Sequence, residues 1–324
     1  MNFWYSQNLL AWCLLPLSWL YCLLAGLRRS LYRRRWLPAR KPDCPVIIVG
    51  NISVGGTGKT PLIIALCEWL QQQRLRPGIV SRGYGGRIRG PHAVCADDRA
   101  EDTGDEPLLL HQRTGCPVVI GADRAAAADY LAQHHACDVI LSDDGLQHYA
   151  LQRDVEIAVI DASRLHGNGF CLPAGPLREP VSRLNQVDLQ VWHSPHGETQ
   201  TGAAFHLQLC RVANLASGET APLERFAGQR VHALAGIGHP ARFFNSLRQA
   251  GIEPIEHAFA DHHAYQSEDC RFDDDLPVLM TEKDAVKCRD FAHPGCWVVA
   301  VEARLNPALQ QAFRQLLARA GLPL

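Results

Sequence analysis

No acidic side chain precedes Asp43, and no charged side chain of either sign precedes Arg28. A secretory signal peptide carries its cations ahead of the apolar stretch, so that reading is disfavoured. Lysine is scarce, with four residues against 28 arginines. The twelve cysteines are scattered and form no Cys-x-x-Cys pair. That pattern argues against a zinc site or a disulfide framework and fits reduced thiols, often core residues. Excess positive charge is missing too, the formal net charge being −1, which excludes a generally basic nucleic-acid binder. There is no internal repeat and no long low-complexity tract.

The near-neutral average hides an asymmetry. Residues 1–42 hold seven cations (Arg28, Arg29, Arg33, Arg34, Arg35, Arg40, Lys41), leaving 25 basic against 33 acidic side chains in the rest. Residues 9–27 form a 19-residue run dominated by Leu, Ala, Trp and Cys; a helix of about 20 apolar residues can cross a bilayer core. Four of the seven Trp and three of the seven Tyr lie within residues 1–36, and such rings favour the headgroup boundary. Cations that follow the run place the body of the protein in the cytoplasm. Pro16 leaves a spanning helix and an interfacial one both open. A buried core helix is the bland alternative, but the flanking arginines suit anionic lipid headgroups and favour membrane attachment.

A chain of 324 residues, 47% hydrophobic and 20% charged, suggests two domains with a sizeable core. Residues 45–50 read as a buried parallel strand and 61–70 as a helix. Further strands are expected at 77–81, 117–120, 139–141 and 155–160, with a helix over 124–135. Residues 181–229 carry short alternating segments. A second unit then shows strands at 230–235, 277–280 and 297–301 and helices over 240–250 and 307–320. The expected fold class is α/β and P-loop NTPase-like: two α/β lobes joined by a small β-rich connection, with an N-terminal membrane-associated helix. Its boundaries are 1–42 for the membrane segment, 43–180 for the nucleotide-binding domain, 181–229 for the connection and 230–324 for the second lobe.

The strongest local signal is Ser-Val-Gly-Gly-Thr-Gly-Lys-Thr at 53–60, between a strand and a helix. It matches the phosphate-loop pattern at Gly58, Lys59 and Thr60, with Ser53 where that pattern has its first glycine. Gly55, Gly56 and Gly58 let the backbone of Ser53, Val54 and Thr57 turn N–H groups toward phosphate oxygens. Lys59 would reach the β- and γ-phosphates, and the Thr60 hydroxyl would sit on Mg²⁺. Asp143 and Asp144 close a later apolar strand, where carboxylates hold Mg²⁺ directly or through water. An adjacent Asp pair can also cap a turn; beside a phosphate loop, metal binding is the better reading.

A GTPase would carry Asn-Lys-x-Asp; the nearest segment, Thr-Glu-Lys-Asp at 281–284, has a different spacing. A kinase needs a group to take the acceptor hydroxyl's proton. Asp105, His148, His262 and His263 are the candidates.

The motif order resembles the tetraacyldisaccharide 4'-kinase family of lipid A biosynthesis. It runs through 49–61, Ser-Arg-Gly-Tyr-Gly-Gly (81–86), Gly-Asp-Glu-Pro (104–107) and Ser-Asp-Asp-Gly-Leu-Gln-His (142–148). Leu-Pro-Ala-Gly-Pro-Leu-Arg-Glu (172–179), the segment 235–242, Asp-His-His (261–263) and 281–284 extend the likeness over nearly the full chain. The resemblance implies transfer of the ATP γ-phosphate to the 4'-hydroxyl of a tetraacyl disaccharide 1-phosphate, with Mg²⁺, at the cytoplasmic face of a bacterial inner membrane. It implies Asp105 as general base, supported by His262 rather than His263. Glu106, Asp143 and Asp144 become metal-site residues. Arg82, Gln147 and His148 become substrate or phosphate contacts. The implied partners are the acylated disaccharide lipid and an anionic membrane surface, and no nucleic acid. A membrane-surface ATPase or GTPase switch is the alternative, and a scaffold that kept the fold without catalysis a third.

Overall fold

The computed structural model describes residues 2–194 and 202–322; residues 195–201 of the expected connection lie outside the described residues. The first long element is α1 (Leu9–Arg33), capped by Asn8, whose side chain accepts the Ala11 N–H. Within α1 only Ala11 and Ser18 are buried, while Leu9, Trp12, Leu17, Trp19, Leu23 and Leu27 are each more than half exposed. That exposure removes the core-helix reading. One side is nevertheless fixed to the body. The Ser18 hydroxyl donates to the Cys171 carbonyl at 2.9 Å, the Tyr21 hydroxyl donates to that of Arg178 at 3.0 Å, and Trp12 meets Phe170 edge-on.

The body begins with β1 (Val46–Gly50), α2 (Lys59–Gln72), β2 (Pro77–Ser81), β3 (His92–Ala93), α3 (Ala100–Thr103) and α4 (Asp105–Thr114). β4 (Val118–Ile120), α5 (Arg124–His134), β5 (Val139–Asp143) and β6 (Val155–Asp161) follow. Next come β7 (Leu189–His193), β8 (Ala204–Asn214), β9 (Thr220–Pro222) and β10 (Arg230–Ala235). The chain continues through α6 (Pro240–Gln249), β11 (Glu253–Ala258), β12 (Val278–Thr281) and α7 (Glu282–Cys288), and closes with β13 (Cys296–Leu305) and α8 (Pro307–Arg319).

The strands form one sheet in the order β11-β10-β12-β13-β8-β7-β6-β1-β5-β2-β4-β3, with β9 beside β8. Parallel pairing runs from β7 through β6, β1, β5 and β2 to β4. A second parallel set joins β11, β10, β12 and β13. β8 is parallel to β7 and antiparallel to β13, so the region expected as a β-rich connection is the seam of a continuous sheet.

Every residue of β1 is buried, as a central parallel strand covered on both faces requires. Ile47 and Val49 pack with Leu62 and Leu66 of α2 and Leu108 of α4, whereas Val46 and Ile48 pack with Leu131 of α5. The period of two sends alternate side chains into opposite layers. In the second half, Phe243, Phe244 and Leu247 anchor α6 to one face, and Ala285 and Cys288 of α7 cover the other.

Two features depart from expectation. α8 belongs by sequence to the second lobe, yet Leu309, Phe313, Leu316 and Leu317 join the first core, with Phe313 against Trp69. Its periodicity marks an apolar face without saying which layer that face covers. β11 is an edge strand carrying Pro254 and no buried residue, a pattern too weak to read as a strand.

Candidate active site

The phosphate loop leaves β1 and enters α2 through Gly58, whose φ of 89° is left-handed. A Cβ there would lie 2.8 Å from His193 Nδ1, so both conformation and space require glycine. Lys59 Nζ donates to Asn51 Oδ1 at 3.2 Å and pairs with Asp144 Oδ1 at 3.4 Å. Arg178 Nη1 pairs with the other Asp144 oxygen at 2.7 Å. The Val54 N–H donates to the Pro176 carbonyl at 2.8 Å, and Ser53 bridges to Leu177, so segment 176–178 braces one side of the loop. Thr57 is buried with its hydroxyl unpartnered, and Thr60 stands in the first turn of α2.

At the end of β5, Asp143 is buried and one of its oxygens accepts the Ser81 hydroxyl at 3.1 Å; the other has no partner. Burial, with help from Glu106 and Asp144, pushes its carboxyl up to about 7 against the pull of Lys59. Burial acts upward on Asp144 also, but Lys59 and Arg178 outweigh it and leave that carboxyl at about 2. Two adjacent acids are thereby split, one permanently charged and one poised near neutrality.

Asp105 opens α4 and is only 4% exposed. His262 Nδ1 lies 3.0 and 3.1 Å from its two oxygens. The histidine adopts a left-handed backbone conformation, and the Tyr84 ring lies 4.9 Å from its own. Lys283 Nζ donates to Glu106 Oε1 at 2.9 Å and Asp261 Oδ1 at 3.0 Å, 3.5 Å from His262 Nε2. Lys287 Nζ is 3.7 Å from Asp105 Oδ2. Burial pushes Asp105 up, but His262, Lys283 and Lys287 prevail and hold it below the usual carboxylate range. The bond to Asp105 outweighs burial at His262 and raises the imidazole above its ordinary value. His263 turns elsewhere, to Asp269 at 3.2 Å and onto the Phe259 ring.

Gln147 and His148 are turned into the protein. Gln147 Nε2 donates to the Asn51 carbonyl at 3.1 Å and Glu179 at 2.9 Å. His148 Nε2 accepts the Arg124 N–H at 3.2 Å at the start of α5, and burial with the Arg124 charge holds its pKa at about 4. Arg82, next to Ser81, is exposed and enters no ion pair among the described residues. Sequence reasoning assigned no role to Lys283, Lys287, Asn51 or Arg178. A signal existed for the lysines: three of the four in the chain, Lys59, Lys283 and Lys287, stand here.

A phosphate loop between β1 and α2, with acidic residues ending the neighbouring β5, defines a P-loop nucleotide-binding protein of the α/β class. An acid–histidine pair, Asp105 and His262, drawn from the two halves of the sheet joins this site. The model of the Tetraacyldisaccharide-1-P 4'-kinase family matches residues 10–318, and the chain belongs to that family. The tetraacyldisaccharide 4'-kinase of Hahella chejuensis is 46% identical over 315 residues, 95% of this chain and 93% of that protein. The enzyme of the same name from Methylobacillus flagellatus is 48% identical over 322 residues, 98% of this chain and 95% of that protein. Among solved structures, LpxK from Aquifex aeolicus in complex with ATP superposes with a TM-score of 0.82 at 30% identity, covering 96% of this chain and 99% of that one. The family expected from the motifs is the family found, and the nucleotide-switch and inert-scaffold readings are not favoured.

Proposed function

We infer that the chain is an ATP-dependent kinase that transfers the γ-phosphate to the 4'-hydroxyl of tetraacyldisaccharide 1-phosphate in lipid A biosynthesis. The observation that carries the reading is the contact of Asp105 with His262, next to Glu106, whose charge reaches Asp143 at the end of β5. Water-directed nucleotide hydrolysis at a switch does not call for such a pair.

Phosphoryl transfer depends on alignment and charge neutralisation more than on covalent chemistry. The N–H groups of residues 53–60 would cradle the phosphates, with Lys59 neutralising the γ-phosphate. Asp105, ionised by its cationic neighbours, would accept the hydroxyl proton while His262 orients the carboxylate. Arg82, exposed beside the Asp143 strand, would meet a substrate phosphate, whereas the inward bonds of Gln147 and His148 suit them to positioning the loop and α5. No cluster of three His, Cys, Asp or Glu side chains suited to a metal occurs among the described residues. Mg²⁺ needs less, since it takes one or two carboxylates and completes its shell with water and phosphate oxygens. The unpartnered Asp143 oxygen fits it, with Asp144 and Glu106 close enough to act on its charge, and Thr60 in the first turn of α2 would add its hydroxyl. Bound there, Mg²⁺ would neutralise charge on the phosphates.

The expected setting is the cytoplasmic face of an inner membrane. Trp12, Ser18, Tyr21 and Tyr32 of α1 all touch the body, over about 30 Å of helix at 1.5 Å per residue. A helix crossing the bilayer would have lipid at those positions, so an interfacial helix is the favoured mode. The division at 42/43, 180/181 and 229/230 is retained as a proposal for units of sequence, with α8 of the last unit packed on the core of the nucleotide-binding one. The deciding experiment incubates the full chain with γ-labelled ATP and the acylated disaccharide 1-phosphate. Label in lipid is expected; label in water alone would overturn the reading.

A further inference from the structure

The segment 235–242 stands out in the sequence, yet the transfer step above leaves it unused. Its Arg242 lies in the first turn of α6, which Phe243 and Phe244 fix rigidly to the second half of the sheet. The guanidinium reaches across to the first half. Nη2 donates to Asp161 Oδ2 at 2.8 Å and lies 3.3 Å from Ser163 Oγ, and Nη1 lies 3.2 Å from His193 Nδ1. Asp161 ends β6, beside β1, and its side chain is 2% exposed. It also accepts from Arg164 Nε at 3.0 Å, and Arg164 in turn bonds the Gly56 carbonyl of the phosphate loop.

His193 makes the connection more pointed. Its Nδ1 is 3.0 Å from the Thr57 carbonyl as well as 3.2 Å from Arg242. With a proton, Nδ1 donates to the Thr57 carbonyl; without one, it accepts from Arg242. One nitrogen cannot do both, so the imidazole tautomer links the position of Arg242 to a carbonyl of the phosphate loop. The backbones also touch, since a Cβ on Gly238 would lie 2.9 Å from Gly56 N.

The proposed transfer site is itself divided between the halves, with Asp105 on one and His262, Lys283 and Lys287 on the other. We propose that Arg242 is a positioning residue: its clasp on Asp161 docks the second half on the phosphate loop, so that His262 is held against Asp105. The proposal rests on the assignment of Asp105 and His262 above. Charge-assisted bonds to a buried carboxylate are the kind strong enough to set a docking equilibrium.

The test uses the full chain in detergent micelles. Arg242→Ala should lower kcat about 10²-fold, leave the KM for ATP within about threefold and move the limbs of the pH profile toward the ordinary values of a carboxyl and an imidazole, because Asp105 and His262 each lose the partner that shifts them; an unmoved profile would overturn the docking role. Arg242→Lys, still able to reach Asp161, should recover part of the rate; no recovery over alanine would overturn the clasp. The double variant with Asp161→Asn should fall within about threefold of Arg242→Ala alone, as partners in one interaction do. Losses that multiply would overturn it. Amide exchange across 259–265 should quicken in Arg242→Ala while that of 46–50 holds. Unchanged exchange at 259–265, or an equal rise at 46–50, would overturn the docking role. Exchange needs no turnover, so absence of label from lipid in the wild type would fail the kinase reading while the clasp is still decided.

Discussion

His262 Nδ1 lies 3.0 Å from Asp105 Oδ2 across a sequence separation of 157 residues, and the contact joins the two halves of the sheet. The carboxylate is held down and the imidazole held up, each chiefly through the other against the pull of burial. Those shifts favour the charged form of both groups, and the pair's charge state sets the first two predictions.

Asp105→Asn should lose about 10²–10⁴-fold in kcat, the usual worth of a general base. ATP binding should persist, because the phosphate loop does not bond Asp105. Single-turnover kinetics with an equilibrium nucleotide titration checks this, and near-normal turnover would remove Asp105 from the mechanism.

The pair should also leave a mark on stability. The raised pKa of His262 means its contribution is fully present below its unfolded value of about 6.5 and is lost as pH rises through the folded value. The advantage of the wild type over His262→Gln in chemical denaturation should thus be larger at pH 6 than at pH 9. A gap that widens with pH would contradict the ion pair.

Lys59→Ala should be at least as damaging as Asp105→Asn. It removes the cation proposed for the γ-phosphate and leaves Asp144 with Arg178 alone. Unchanged kinetics would refute the phosphate-loop assignment.

Asp143, at about 7, takes up a proton near neutrality. If it holds Mg²⁺, protons and metal compete, so the Mg²⁺ needed for half-maximal activity should rise from pH 8 to pH 6. That dependence should flatten in Asp143→Asn. A pH-independent requirement in the wild type would count against Asp143 as the ligand.

Arg33, Arg34 and Arg35 are exposed at the end of α1. Replacing all three with Gln should weaken binding to anionic vesicles, and the difference from wild type should vanish at high salt. Sedimentation with vesicles across a salt series measures it. Binding by the variant as strong as wild type at low salt would leave attachment to the apolar face alone.

The sequence alone determined whatever depends on neighbours in the chain. Residues 53–60 lie between a strand and a helix, Asp143 and Asp144 end an apolar run, and α1 exposes the residues its composition marked for lipid. In each case the chemistry sits within a few residues, where strand or helix geometry dictates which side chains share a face. The tertiary structure decided what joins distant segments. It set His262 against Asp105 and turned His263 to Asp269, gave Lys283 and Lys287 their carboxylates, placed α8 on the first core and brought Arg242 to Asp161. No periodicity encodes such pairings, because they depend on how the two parallel halves meet at the antiparallel seam between β8 and β13.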